Sequence, residues 1–258
     1  MPTPILWPDA LCPARIEANP VPFTRSSGRT LGGLRRSVKT DRGYWSIVYK
    51  SVPLYGPELR RLLAALQVEA GGSAGLLAIP VWTLNSAGWL PGSVWGRYYT
   101  LHDDGTPHDD GTPYSQPATA VTMAGAVPLG ATSVTLRLEE GVPEGAGIRF
   151  SYEHALYQTG FPTAVTGDLW TVPVFPAIRA PIPDGAALEA GLPTCLVRLA
   201  NDRELDAALS AGRFDTFDVS FLEATDYWSS IAASTAKRLY ATPGAYTLSG
   251  KAASLVKA

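Results

Sequence analysis

The sequence predicts a mainly β protein with one packed α-helix, in which a β-sandwich-like domain is interrupted by a small β-barrel or sandwich insertion. Three observations predict this class. One amphipathic helix pattern covers residues 57–69, and strand-like runs lie on both sides of it. A block of closely spaced strand runs, separated by Gly and Pro, follows in the middle of the chain.

The helix pattern is a leucine stripe at spacing i, i+3, i+4 and i+7, which must pack against a sheet. The stripe consists of Leu59, Leu62, Leu63 and Leu66. Gly71 and Gly72 predict the end of the helix, and the apolar run 76–82 predicts a strand directly after it.

Alternation with period two predicts the other strands of this first domain. In residues 43–52, Trp45, Ile47 and Tyr49 share one face, which is typical of a half-buried strand. Residues 195–199 and the alternating Phe217, Val219 and Phe221 predict two strands near the other end of the chain. Residues 1–42 are rich in Pro, Arg and small polar residues, and we expect an extended arm that enters the first strand.

These patterns divide the chain into three parts. We expect residues 1–115 and 190–225 to form the first domain, with its helix at 57–69, and residues 116–189 to form the inserted β domain. Residues 226–258 contain a weak helical pattern and a polar end, and we expect a C-terminal arm that reaches a neighbouring subunit.

Composition limits the classes of partner. The 258 residues are 46% hydrophobic and only 17% charged, which favours apolar surface that meets a partner. The 21 Lys and Arg against 23 Asp and Glu give no basic excess, so we expect no nucleic-acid binding.

The uncharged stretch between Glu69 and Arg97 contains prolines and glycines that exclude membrane insertion as a helix. The N-terminus lacks a signal-peptide pattern, and Cys12 and Cys195 are expected to be reduced.

Motifs with catalytic or metal-binding chemistry are incomplete. Residues 71–75 (GGSAG) match a nucleophile elbow, but a helix enters and a strand leaves, which is the reverse of the order required. The tandem HDDGTP repeat at 102–107 and 108–113 supplies Asp and His but lacks EF-hand spacing, which favours a solvated loop. Glu153 and His154, taken as strand neighbours, point to opposite faces and form no acid–base couple. We therefore predict no enzyme activity, no cofactor and no metal.

An aromatic cluster among glycines is the strongest candidate for a binding surface. Trp and Tyr offer a large contact area at modest conformational cost, which suits subunit contacts or stacking on sugar rings, although some must serve the core. The interface or glycan candidates are Trp89, Trp95, Tyr98 and Tyr99.

Over residues 25–225, the order of these segments resembles the distal tail and baseplate-hub proteins of long-tailed, siphovirus-like bacteriophages. In the front half the resemblance lies in Ser27-Gly28-Arg29, GYWSIVYKSVPL (43–54), LRRLLAALQ (59–67) and AGLLAIPVW (74–82). In the rear half it lies in LYQTG (156–160), VPVFPAIRAPIPDGAALE (172–189), PTCLVRLAND (193–202) and GRFDTFDVSFLEA (212–224).

The resemblance implies a non-enzymatic virion structural protein, assembled in the host cytoplasm and located at the tail tip. Such proteins form closed homo-oligomeric rings, hexamers for distal tail proteins and trimers for hubs, that join the tail tube protein to tail-tip or hub proteins. The hexamer is the expectation favoured here. The alternative function is a carbohydrate-binding module that recognises a host surface glycan, because some projecting domains of this family resemble such modules.

Overall fold

The structure, a computed structural model, describes residues 3–26, 28, 31–82, 99–100, 114–115, 120–138, 145–206 and 214–240. The predicted fold class is confirmed: the chain is mainly β, one helix packs on a sheet, and a small barrel is inserted into the chain of that sheet. The strands, in chain order, are β1 (Ile5–Leu6), β2 (Arg15–Ser26), β3 (Ser37–Tyr55), β4 (Leu77–Pro80), β5 (Tyr99–Thr100), β6 (Tyr114–Ser115), β7 (Ala120–Met123), β8 (Ser133–Leu138), β9 (Arg149–Tyr152), β10 (Ala155–Thr159), β11 (Ala164–Thr166), β12 (Leu169–Phe175), β13 (Ala187–Glu189), β14 (Thr194–Leu199) and β15 (Phe214–Glu223). The helices are α1 (Gly56–Ala70) and α2 (Thr225–Tyr240).

Six strands form a mixed sheet in the order β1-β4-β14-β15-β3-β2. Only the β1–β4 pair is parallel, and the other neighbours are antiparallel. Thr194 of β14 lies opposite Pro80 of β4, so the chain leaves this sheet and returns to it at adjacent strands. The whole barrel lies between those two positions in sequence.

One face of this sheet holds the first hydrophobic core. Trp45, Ile47 and Tyr49 of β3 are fully buried, as their alternation predicts, and Phe217, Val219 and Phe221 of β15 join the same core. Their neighbour Asp218 is exposed on the opposite face. Cys195 is buried in this core and Cys12 packs against it; neither cysteine forms a disulfide, and burial raises the pKa of Cys195.

Helix α1 covers this core with the predicted stripe. Leu59, Leu63 and Leu66 are buried, and the partly buried Leu62 packs against the core. The helix ends at Gly71, whose backbone φ of 58° is the left-handed conformation that glycine adopts easily, and its N–H donates to the carbonyl of Gln67. Tertiary burial of the stripe stabilises the helix, because isolated helices of this length are marginal in water.

The inserted domain is a closed barrel. Its strands follow the order β10-β9-β13-β7-β8-β12, and pairing of β10 with β12 closes the ring, while β11 adds a seventh strand beside β12. Alternate residues of β8, namely Val134, Leu136 and Leu138, point into the barrel core, as the strand period requires. Phe150 and Tyr157 fill the same core with ring centroids 5.4 Å apart.

The expectation of an extended arm over residues 1–42 is wrong. Strand β1 pairs with β4, Trp7 is buried with its indole N–H donating to the Leu11 carbonyl at 2.9 Å, and β2 pairs with β3 over most of its length. The search for alternating apolar and polar residues missed β2 because Pro20 and Pro22 interrupt the alternation. Proline has no backbone N–H, but β2 is the last strand of the sheet, and residues on its outer edge need no N–H to pair with another strand.

The C-terminal segment begins as helix α2, which the sequence indicated only weakly. Trp228 is buried and Tyr227 and Ile231 pack beside it, in a cluster that also contains Ala78 and Leu196 from the reverse face of the sheet. The start of the segment expected as a C-terminal arm therefore packs against this chain itself. Residues 241–258 lie outside the described residues.

Candidate functional site

The aromatic cluster predicted as an interface or glycan site lies outside the part of the chain that the structure describes. This applies to Trp89, Trp95 and Tyr98 and to the side chain of Tyr99, whose backbone belongs to β5. Strand β5 pairs with β6, and the HDDGTP repeat between them also lies outside the described residues. The cluster thus stays a prediction.

The GGSAG motif is a helix-ending turn. Ser73 lies in a single 3₁₀ turn (Gly72–Ala74), and both its N–H and its hydroxyl donate to the carboxylate of Asp202. These hydrogen bonds lower the pKa of Asp202. The reversed order of elements predicted from sequence is therefore observed, since a helix enters the motif and β4 leaves it.

His154 and Glu153 form a tight hairpin turn between β9 and β10, so the strand assignment of this pair was wrong. Both have positive φ, 67° and 48°, as a two-residue turn with left-handed conformations requires. The His154 Nδ1 atom lies 2.9 Å from the Thr194 hydroxyl. The His154 carbonyl accepts a hydrogen bond from the Leu196 N–H. Burial lowers the pKa of His154 below its usual value, although the neighbouring Glu153 acts to raise it. Among the described residues, no three His, Cys, Asp or Glu side chains group as metal ligands.

A buried ion pair fixes the barrel to the sheet. Arg179, in the segment after β12, donates from Nε to Glu223 Oε1 at 2.8 Å and from an Nη to Oε2 at 3.1 Å. The Trp45 N–H also donates to Glu223 Oε2 at 3.0 Å, and Arg179 reaches the carbonyl of Gly43. The Glu223 side chain is 1% exposed, and this burial raises its pKa, although Arg179 and the Trp45 N–H act to lower it.

Trp45 is the centre of the same junction. Its indole N–H donates to the Leu156 carbonyl of β10 at 2.9 Å, and the Arg149 guanidinium of β9 lies 5.5 Å from its ring centroid. Arg149 also donates to the Ala18 carbonyl of β2 at 3.0 Å. Contacts from two barrel strands to two sheet strands hold the two parts in one orientation.

Close approach at Gly43 completes the junction. A Cβ at this position would lie 2.0 Å from a ring atom of Phe175, the last residue of β12, and 2.8 Å from the Val21 carbonyl oxygen, so a side chain here would force both the ring and the backbone of β2 to move. The β2–β3 hairpin continues past Gly43, where the Ala177 N–H of the segment after β12 still donates to the Asp41 carbonyl at 3.4 Å.

We call residues 23–42 the hairpin extension. The observed pairing of β3 with β15 ends at Ser46, whereas β2 and β3 stay paired as far as Ser26 and Ser37. At about 3.4 Å per residue, the six steps from Ser37 to Gly43 give a two-stranded ribbon about 20 Å long. Every described residue of the hairpin extension is exposed.

The hairpin extension combines apolar and basic side chains. Its exposed apolar residues are Phe23, Leu31, Leu34 and Val38, which are 51%, 112%, 69% and 63% exposed. Its basic residues are Arg25, Arg29, Arg35, Arg36, Lys39 and Arg42, and Asp41 is its single acidic residue. Sequence reasoning missed this feature because it averaged charge over the whole chain.

Comparison with known proteins leaves the family open. No protein-family model matches the chain, and no curated protein is similar to it in sequence. Among the described residues, no helix combines the length and the apolar character needed to cross a membrane.

Proposed function

We propose that this protein is a structural subunit of the distal tail or baseplate of a bacteriophage, where copies form a closed ring that joins the tail tube to the tail tip. The observation that carries the proposal is the hairpin extension: a two-stranded ribbon with exposed apolar side chains is marginally stable alone and gains from being covered. The resemblance of residues 25–225 to distal tail and hub proteins supports the same function.

The sheet–barrel junction supports a geometric mechanism. A ring subunit presents one surface to the next copy and a different surface to the previous one, and the ring closes only if the subunit holds a constant angle. The bonds of Arg179 and Trp45 across the junction fix that angle within one subunit. The two ring faces would then contact the tail tube protein on one side and tail-tip or hub proteins on the other.

The edges of the sheet also suit an assembly subunit. Strand β2 ends the sheet, and no described strand pairs with its outer edge. An open edge is a hazard for an isolated protein but offers backbone donors and acceptors to a neighbour in an assembly.

Sedimentation velocity of the purified full chain, together with mass spectrometry of purified virions, tests the proposal. We expect a single closed oligomer, six copies for a distal tail ring or three for a hub, and the same copy number in the particles. A chain that stays monomeric at micromolar concentration and is absent from particles would refute it.

A further inference from the structure

We propose that the hairpin extension docks onto the acidic body of a second copy of the same chain and forms the contact between successive subunits. This inference rests on the proposed function and identifies the surface that would make the ring.

Charge complementarity is the first argument. The hairpin extension carries six of the 21 Lys and Arg residues and one of the 23 Asp and Glu residues, a formal charge of +5. The remaining chain holds 15 basic and 22 acidic residues, a formal charge of −7. Opposite charges on two surfaces of one chain favour association of a surface on one copy with a different surface on the next.

The distribution of side chains on the ribbon is the second argument. Val38 lies opposite Arg25 and Thr40 lies opposite Phe23, and residues directly opposite in an antiparallel pair share a face. One face of the ribbon therefore carries Phe23, Val38 and Arg25 together. Apolar contact area next to a cation suits a protein surface, where both kinds of contact contribute.

A nucleic acid fits this surface less well. A polyanion would be attracted by the basic side chains, but it would be repelled by the body of charge −7 as soon as it extended past the ribbon. The exposed apolar residues would add nothing to phosphate contacts. We therefore assign the surface to a second copy and leave nucleic acid as an outcome of the test.

The test compares two variants that change charge equally. The hairpin variant is Arg25→Glu/Lys39→Glu/Arg42→Glu, at three exposed positions. Arg35 is kept because its guanidinium donates to the Ser26 hydroxyl at 2.9 Å, a contact within the hairpin extension. The control variant is Arg61→Glu/Arg137→Glu/Arg203→Glu, at three exposed positions outside the hairpin extension. Circular dichroism and thermal melting check that both variants are folded.

Sedimentation equilibrium in 0.1 M and 1 M NaCl measures self-association. We expect the hairpin variant to raise the dissociation constant about a hundredfold in 0.1 M salt, while the control variant stays within about threefold of the wild type. We also expect 1 M salt to weaken the wild-type oligomer, because the screening length falls from about 10 Å to about 3 Å.

Three outcomes would overturn the inference, and they separate it from the proposed function. An oligomer that the hairpin variant leaves intact rejects the docking surface and leaves the ring standing. A wild-type chain that is monomeric in both salts rejects both. A monomer whose hairpin binds a fluorescent 20-mer DNA duplex, with binding lost in the hairpin variant and kept in the control variant, assigns the surface to nucleic acid instead.

Discussion

Replacement of Arg179 by Met should destabilise the protein strongly, because it leaves the Glu223 carboxylate buried without its cation. The substitution removes both guanidinium hydrogen bonds to Glu223, at 2.8 and 3.1 Å, together with the bond to the Gly43 carbonyl, and leaves the carboxylate the Trp45 N–H at 3.0 Å. Breaking a buried pair from one side costs about 3–5 kcal/mol. Arg179 keeps a side-chain exposure of 14% and Glu223 is able to take up a proton, so we expect the lower end of that range, about 3 kcal/mol.

The sign of the pH dependence follows from the same geometry. In the Arg179→Met variant the pKa of Glu223 rises further above its usual value, because burial remains and the cation is lost. The folded variant then binds a proton at a pH where the unfolded chain does not. Its stability therefore increases as the pH falls through that raised pKa towards 4.5, and the deficit relative to the wild type becomes smaller.

Thermal and urea unfolding at pH 8 and pH 5 measure both effects. A loss of about 3 kcal/mol lowers the melting temperature by about 6–12 °C in a chain of this size. The matched control is Arg137→Met, which breaks an exposed pair with Asp168 and should change stability by less than about 1 kcal/mol.

A double-mutant cycle completes the test of the pair. Adding Glu223→Gln to the Arg179→Met variant should restore part of the stability, since it removes the buried charge. If Arg179→Met costs no more than the Arg137→Met control, or if the cycle is additive, then the buried pair does not stabilise the junction as described.

Three further predictions concern other parts of the chain. Burial lowers the pKa of His154, so on acidification the unfolded chain takes up this proton before the folded chain does. The free energy of unfolding should therefore fall as the pH drops below about 6.5. In the His154→Gln variant, urea unfolding should show a smaller decrease over the same pH range. Leu63→Ala removes a buried side chain of the α1 stripe and should cost about 2–5 kcal/mol, whereas Val68→Ala, at a position 83% exposed on the same helix, should change stability by less than about 0.5 kcal/mol; equal losses would contradict the packing of the stripe. If the alternative function holds, glycan-array binding should be present in the wild type and lost in Trp89→Ala or Trp95→Ala, and an intact oligomer that binds no sugar would reject it.

The elements that the sequence predicts well are those whose burial has a simple period. The leucine stripe of α1 and the alternation in β3 and β15 each place their apolar residues on one side, and tertiary packing uses that side. The barrel was predicted as a class because its strand runs are short and separated by Gly and Pro turns, which is the usual pattern of a small β domain.

Local sequence patterns could not predict the sheet–barrel junction or the hairpin extension. Arg179 and Glu223 are 44 residues apart in sequence, and no spacing rule connects two charges that meet only after the barrel packs on the sheet. The hairpin extension was hidden for another reason: its strands are exposed on both faces, so they lack the alternation that marks a strand. Prolines in β2 removed the remaining signal.

The register between Pro80 and Thr194 means that the barrel occupies the place of an ordinary hairpin turn. A two-residue loop would be enough to connect these strands, so the sheet's topology does not depend on what is carried there. A different domain could therefore replace the barrel at this point, in evolution or by design, without a change in the strand order of the sheet. Any replacement would have to supply its own counterion for Glu223, and that requirement limits which modules the scaffold accepts.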